Sequence, residues 1–290
     1  MGVWGKVLAA AVMVGLMGAG PVLADDPRLK AEFPIGKDLV RRTPPPDFDT
    51  PNAETLVEVI RDGQVFYRFS GWSVYLTEWV QAPDGVTFPP QGTNFMGGNV
   101  PQLLLQEFSG GAHCCLSLYL VDLGAEPVQH DLPVGSHYFT YFERDPADGR
   151  WVLHGHDPNY AYWKASFIGS PAPKLKFVYE KGDWVLAPSQ RTKAPARSEL
   201  LAMVAQMAPV DDSEGAEVSS DLWAIALDLV YGGHWDLARE FVRDFWPRDV
   251  AGRDAFMAEL FECKIPQSQY WPHIARLNGI PANPPKGECD

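Results

Sequence analysis

The sequence predicts an α+β protein in which an antiparallel β-rich domain, either an irregular sandwich or a fragment related to propeller blades, precedes an α-helical domain. Between residues 52 and 190, short runs rich in β-branched and aromatic residues are punctuated by Gly, Pro and Asp, as in strands joined by turns. No long helical pattern interrupts these runs, which favours antiparallel pairing. Over residues 197–290 the chain changes to longer apolar segments with short links, which predicts helices.

The predicted strands are separated by turn residues. Asp62-Gly63 and Lys181-Gly182-Asp183 each stand between two runs, where a hairpin turn needs positive φ. The strands are expected at Leu56–Ile60, Val65–Ser70, Ser73–Gln81, Gln102–Phe108, Cys115–Leu123, Tyr138–Phe142, Trp151–His154, Leu175–Tyr179 and Trp184–Leu186.

The predicted helices have recognisable start and stop residues. Ser198, and Ser219 or Ser220, are suitable N-caps because a serine oxygen can accept a backbone N–H bond. Gly232 and Gly279 follow apolar segments, where glycine commonly ends a helix. The helices are expected at Glu199–Met207, Asp221–Tyr231, Trp235–Trp246, Arg253–Cys263 and Ser268–Asn278.

Residues 1–24 are typical of a cleaved secretory signal. Lys6 precedes a short apolar stretch, and small residues lead to Ala24. Glycines interrupt the apolar stretch, which makes it a poor membrane span. We therefore expect a periplasmic or secreted protein with no membrane insertion after cleavage. Residues 25–51, rich in proline and charge, are expected to form an extended lead-in.

The net charge and the absence of known catalytic motifs exclude several classes of function. The net charge is −13, and removal of Lys6 with the signal makes it −14, which argues against nucleic acid and anionic membranes as partners. The sequence contains no nucleophile elbow, zinc-protease motif, phosphate-binding loop or dinucleotide fingerprint. The leading interpretation is a non-enzymatic binding or scaffold module with a protein or glycan partner and no cofactor.

The four cysteines are expected to form disulfides in an exported protein, with three possible pairings. A bridge between Cys114 and Cys115 would join Cα atoms about 3.8 Å apart, closer than is usual for disulfides. Cys263 and Cys289 lie 26 residues apart, and a bridge there would be worth roughly 3.5 kcal/mol in the loop-entropy picture. We favour Cys263–Cys289, with Cys114–Cys115 as the residual pair.

The alternative function is a metal-binding protein. His113, Cys114 and Cys115 would act as soft ligands for copper or zinc. His154 and His156 are two residues apart, so on a strand they would share one face and could join that set.

A group of aromatic residues offers another candidate site. Tyr160, Tyr162 and Trp163 are close together in sequence, and clustered aromatics bind glycans or peptides by stacking. The alternative is that they fill a core.

Two short segments resemble the repeats of the FG-GAP and VCBS families, in which an Asp-rich calcium loop runs into a strand. They are Asn94–Leu103 and Arg144–Gly149. In the first, the ligand positions hold Asn94, Met96 and Gly98, of which the last two supply no side-chain oxygen. The resemblance therefore implies the turn and the following strand without calcium.

A wider pattern resembles a group of uncharacterised exported bacterial proteins. It comprises the Gly-Gly-Ala-His-Cys-Cys run at 110–115, the segments 157–163 and 170–173, and the helical tail. This resemblance implies export and the overall architecture, and it carries no activity.

We predict that the exported protein begins at Asp25, because the residues before it form the expected cleavage site. The intact mass of protein recovered from the periplasm or the medium should match a chain of 266 residues. A mass that includes Met1 would contradict the signal assignment.

Overall fold

The computed structural model describes residues 32–44, 54–76, 89–108, 116–134, 140–208 and 218–286. Within these residues the chain forms three four-stranded antiparallel sheets and five α-helices, with the helices after the sheets. The predicted α+β class, a β-rich region followed by a helical region, is confirmed. The predicted signal sequence lies outside the described residues.

Each sheet is a meander in which strands adjacent in sequence are also adjacent in space, the connectivity of a propeller blade. Sheet A contains β1 (Glu32–Ile35), β2 (Asp38–Thr43), β3 (Thr55–Arg61) and β4 (Gln64–Gly71). Sheet B contains β5 (Ser73–Tyr75), β6 (Gln102–Phe108), β7 (Leu116–Leu123) and β8 (Pro127–Asp131). Sheet C contains β9 (Tyr141–Arg144), β10 (Trp151–His156), β11 (Lys174–Glu180) and β12 (Asp183–Leu186).

Sheet B is covered on both faces. Leu103 and Leu105 of β6 share an apolar core with Val57 of sheet A. On the opposite face, Leu120 of β7 shares a second core with Leu153 of sheet C. Because both faces of β6 are buried, its centre is the continuous apolar run Leu103-Leu104-Leu105 rather than an alternating pattern.

The first hairpin corrects the prediction of an extended lead-in over residues 25–51. Residues 32–43 form β1 and β2, joined by a turn in which Gly36 has φ of +58°. Ile35 and Val40 are buried against the rest of the core. The hairpin was missed because only a few large apolar residues stand among its charged neighbours. β8 was also missed, since it is a mostly exposed, largely polar strand at the edge of its sheet.

The helices are α1 (Arg197–Val204), α2 (Ser220–Tyr231), α3 (Trp235–Phe245), α4 (Arg253–Ala258) and α5 (Trp271–Asn278). A π-helical turn at Glu259–Lys264 continues α4. Ser219 caps α2 as predicted, accepting the Asp221 N–H at 3.3 Å. Ser198 is not a cap, because α1 begins one residue before it. There the Glu199 carboxylate accepts the Ala196 N–H at 2.6 Å.

The helices and sheet C share one apolar core. Trp223 and Leu227 of α2 belong to the same buried cluster as Leu175 and Phe177 of β11. The segment between the β-rich and helical regions is also hydrogen-bonded to α2, with the Thr192 N–H donating to the Gly232 carbonyl at 3.1 Å. The core therefore continues across the boundary expected near residues 190–197.

In the part of the chain that the structure describes, no helix is both long enough and apolar enough to span a membrane.

Candidate functional site

Most of the predicted cysteine and metal-ligand segment lies outside the described residues, namely His113, Cys114, Cys115 and Cys289. Cys263 is buried and disulfide-bonded. The C-terminal segment runs beside it, because the Lys286 N–H donates to the Glu262 carbonyl at 2.8 Å. That course fits the predicted bridge to Cys289, which stays a prediction.

The two histidines of β10 lie among charges of both signs, because the Glu143 carboxylate is 3.2 Å from His154 Nε2 and each histidine has a lysine across the sheet. His156 stands opposite Lys174, and His154 stands opposite Lys176. The His154 ring stacks on Tyr141 at 4.4 Å between centroids. Burial, together with the positive charge of Lys176, lowers the pKa of His154 to about 4. Among the described residues no group of three or more His, Cys, Asp or Glu side chains could hold a metal ion.

The three aromatic candidates do not share one surface. Tyr160 and Trp163 are buried in the core, whereas Tyr162 is 60% exposed. Trp163 packs edge-on against Trp223 of α2, with 5.0 Å between ring centroids. Two of the three residues therefore join the β-rich region to the helices, whereas the exposed Tyr162 packs against Phe167 with 5.6 Å between ring centroids.

The two FG-GAP-like turns border the same pocket, which has a volume of about 310 Å³. Gly97 and Gly98 have φ of +87° and +103°, as such a turn requires. The Asp145 and Asp148 carboxylates accept the backbone N–H groups of residues 147 and 150. Arg144 also borders this pocket, and its guanidinium lies 4.2 Å from the Trp151 ring centroid.

A buried carboxylate lies directly after β10. Asp157 is 1% exposed, and its Oδ2 accepts hydrogen bonds from the hydroxyls of Tyr231 and Ser268. Its Oδ1 accepts the Asn159 N–H at 2.9 Å. The Tyr231 hydroxyl also lies 3.1 Å from that of Tyr160, and burial raises the pKa of both phenols well above the usual value. Asp157 thus joins sheet C, the end of α2 and the segment before α5.

Tyr231, which donates to this carboxylate, also borders a cleft with a volume of about 360 Å³. It is bordered by β11, the connection after β12, α1 and α2. We call it the lysine cleft and define it by three lysines, an aspartate and four apolar side chains: Lys174, Lys176, Lys193, Asp228, Pro195, Met203, Ile225 and Leu229.

The strand and the connection hold the lysine cleft in a fixed shape. Lys174 and Lys176 are two residues apart on β11, so both side chains lie on the face opposite the core residue Leu175. Gln190 accepts the Lys176 N–H at 2.7 Å and donates to the Lys174 carbonyl at 3.0 Å. It also donates to the Tyr231 carbonyl at 2.8 Å. One buried amide therefore holds the strand, the connection and α2 together.

Positive charge dominates the lysine cleft, although the whole chain is acidic. None of Lys174, Lys176 and Lys193 forms an ion pair within 4.0 Å of a described residue. Asp228 lies in the same cleft, where surrounding protein raises the pKa of its carboxyl and Lys174 opposes that shift. Three lysines and one aspartate thus border one cleft together with apolar side chains.

Sequence reasoning missed this cleft because its lysines come from two separate segments. The alternation of Lys174 and Lys176 with apolar residues was visible in the sequence, but this pattern predicts a strand and does not indicate a binding site. The chain matches no protein-family model, no curated protein and no solved structure.

We predict that Tyr231→Phe lowers the free energy of unfolding by about 2–3 kcal/mol, because the buried Asp157 carboxylate loses a hydroxyl donor. Urea unfolding measures this change. Tyr119→Phe is the matched control, since that hydroxyl also donates to a carboxylate, that of Glu107 at 3.0 Å, but at a partly exposed position. A loss of about 1 kcal/mol or less is expected there. Equal losses in the two variants would contradict the role assigned to burial.

We also predict an acid-sensitive contribution from His154. The folded protein holds the pKa of His154 at about 4, below the ordinary value of 6.5. The unfolded chain therefore takes up this proton first as the pH falls from 6.5, and the fold loses stability down to pH 4. Between pH 7 and pH 4.5, the free energy of unfolding of the wild type should fall by about 1–2 kcal/mol more than that of His154→Gln, with allowance for solvent screening. Identical pH profiles in urea unfolding would refute this.

Proposed function

We propose that the protein is an exported binding module, not an enzyme, and that the lysine cleft holds a small organic anion with an apolar body. The observation that carries this proposal is the group of three lysines without ion-pair partners among the described residues, set beside apolar side chains in one cleft. Unpaired ammonium groups at a concave surface attract carboxylate, phosphate or sulfate groups.

The size of the cleft favours a metabolite-sized ligand. Its volume of about 360 Å³ is near the lower end of the range of roughly 300–1,000 Å³ for small-molecule pockets. Met203, Ile225 and Leu229 offer an apolar wall that can cover a hydrocarbon or ring, while the ammonium groups hold the charged end. A ligand with both parts would use the whole cleft, whereas a simple inorganic anion would use only the lysines.

The side chains at the cleft favour binding over catalysis. The described residues that line it include no histidine and no cysteine, the most common general base and the strongest side-chain nucleophile. Asp228 is the only carboxyl among these lining residues, and the positive charge of Lys174 acts on it. These features support a ligand held by charge and apolar contact.

Asp228 also gives the proposed binding a pH dependence. Protein packed around this carboxyl raises its pKa, so it takes up a proton at a higher pH than an exposed aspartate. Protonation removes the one negative charge among the residues that border the cleft. The affinity for an anion is therefore expected to increase as the pH falls through the pKa of Asp228.

We predict that the purified full chain binds octanoate saturably in isothermal titration calorimetry. Octanoate supplies a carboxylate and an apolar body. Octanamide lacks the charge and acetate lacks the body, so both should bind at least about tenfold more weakly, as expected for the loss of one charge-assisted contact or of several buried methylene groups.

Two variants and one matched control test the location. Lys174→Met and Lys176→Met keep most of the side-chain stem and remove the charge, so each should weaken octanoate binding about tenfold or more. Lys37→Met removes an exposed lysine in the turn between β1 and β2 and should leave the affinity unchanged. Absence of saturable binding, or equal affinities in all four proteins, would refute the proposal.

A further inference from the structure

The outer face of sheet A is a second surface with an ordered chemical pattern. Val57 and Val59 of β3 point towards sheet B and are fully buried. Leu56, Glu58 and Ile60 alternate with them and lie on the opposite face. Leu56 and Ile60 belong to none of the apolar clusters of the described residues.

An apolar row crosses this face from one edge of the sheet to the other. The strand register places Pro34 beside Leu39, Leu39 beside Ile60, and Ile60 beside Val65. The row thus takes one apolar residue from each of the four strands. Val65, at the β4 edge, is 49% exposed, so the row reaches solvent.

A charged row runs beside the apolar row. The same register aligns Glu32, Arg41, Glu58 and Arg68 across the four strands. Within the chain, Arg41 pairs with Glu32 at 2.6 Å, and Arg68 pairs with Glu58 at 2.7 Å. The charges therefore alternate in sign from β1 to β4.

An alternating row of four charges is complementary to itself. A second copy can be placed face to face with the first by a two-fold axis that lies between the two sheets, parallel to the strands. This rotation reverses the order of the strands. Each row of one copy then faces the same row of the other copy. Glu32 then faces Arg68 of the second copy, and Arg41 faces Glu58 of the second copy. The apolar row meets its own counterpart. Such a self-complementary patch is what an isologous interface requires.

We propose that two copies of this chain associate face to face through the outer face of sheet A. Four strands about 4.8 Å apart and about three rows deep give roughly 400 Å² on each copy. That is about half of the roughly 800 Å² per partner in a standard stable interface. The dimer is accordingly weak and forms at concentrations of tens to hundreds of micromolar, on the order expected for so small an interface.

Sedimentation velocity of the purified full chain, from about 10 to 500 µM, measures this association, and we expect the mean sedimentation coefficient to rise with concentration. Val65→Glu places an unpaired charge in the apolar row and should abolish the rise. Val128→Glu is the matched control, because Val128 is 48% exposed but belongs to β8 of sheet B rather than to sheet A, and it should behave as the wild type does. Circular dichroism melting of each variant separates loss of association from loss of fold.

Charge reversal tests the pairing itself. Arg68→Glu alone, or Glu32→Arg alone, sets like charges against each other across the interface and should weaken the dimer at least tenfold. The double variant Glu32→Arg/Arg68→Glu restores opposite charges between the copies and should recover the association. If the two residues act only within one chain, the double variant is the worst, since both in-chain ion pairs are then broken.

Three results would overturn the proposal. They are a monomer at every concentration, an association that Val65→Glu leaves intact, and a double charge reversal that fails to recover what the single reversals lose. A monomer would indicate that another segment of the chain or another protein covers this face.

Discussion

The Asp157 carboxylate is the contact on which the placement of the helices depends. An unpaired buried carboxylate costs several kcal/mol, so donors must be brought to it from elsewhere in the fold. They come from Tyr231 and Ser268, which are 74 and 111 residues away in sequence. Satisfying this one group therefore fixes where the end of α2 and the segment before α5 meet sheet C. The apolar core around Trp223 and Phe177 then fills the space between them.

The same contact determines the shape of the lysine cleft. Tyr231 donates through its hydroxyl to Asp157, and its carbonyl accepts from Gln190. The last turn of α2 is therefore held by two hydrogen bonds of Tyr231, one from its side-chain hydroxyl and one to its backbone carbonyl. Asp228 and Leu229 lie in that turn, so their distance from the lysines of β11 is set by the buried network rather than by contacts at the surface. A cleft preorganised in this way loses little entropy when a ligand binds.

The sequence predicted what depends on local pattern and missed what depends on pairing over long distances. The continuous apolar run of β6 and the glycine that ends α5 were sufficient to locate those elements. β1 and β2 were missed because few of their residues are large and apolar.

The lysine cleft was missed for a different reason: a net charge of −13 describes the average surface, whereas a binding site depends on which charges the fold brings together. Nothing local in the sequence indicated that the partners of Asp157 would be Tyr231 and Ser268.

The central claim is that sheet C and the helices form one cooperative unit held by Asp157. Native-state hydrogen exchange measures this directly, by comparing the free energies of opening for the core amides of β11 and α2. We expect the two sets to open with the same free energy, and Tyr231→Phe to lower both by the same amount. Exchange of the α2 amides at a clearly lower free energy, while β11 remains protected, would show two independent units and contradict the account.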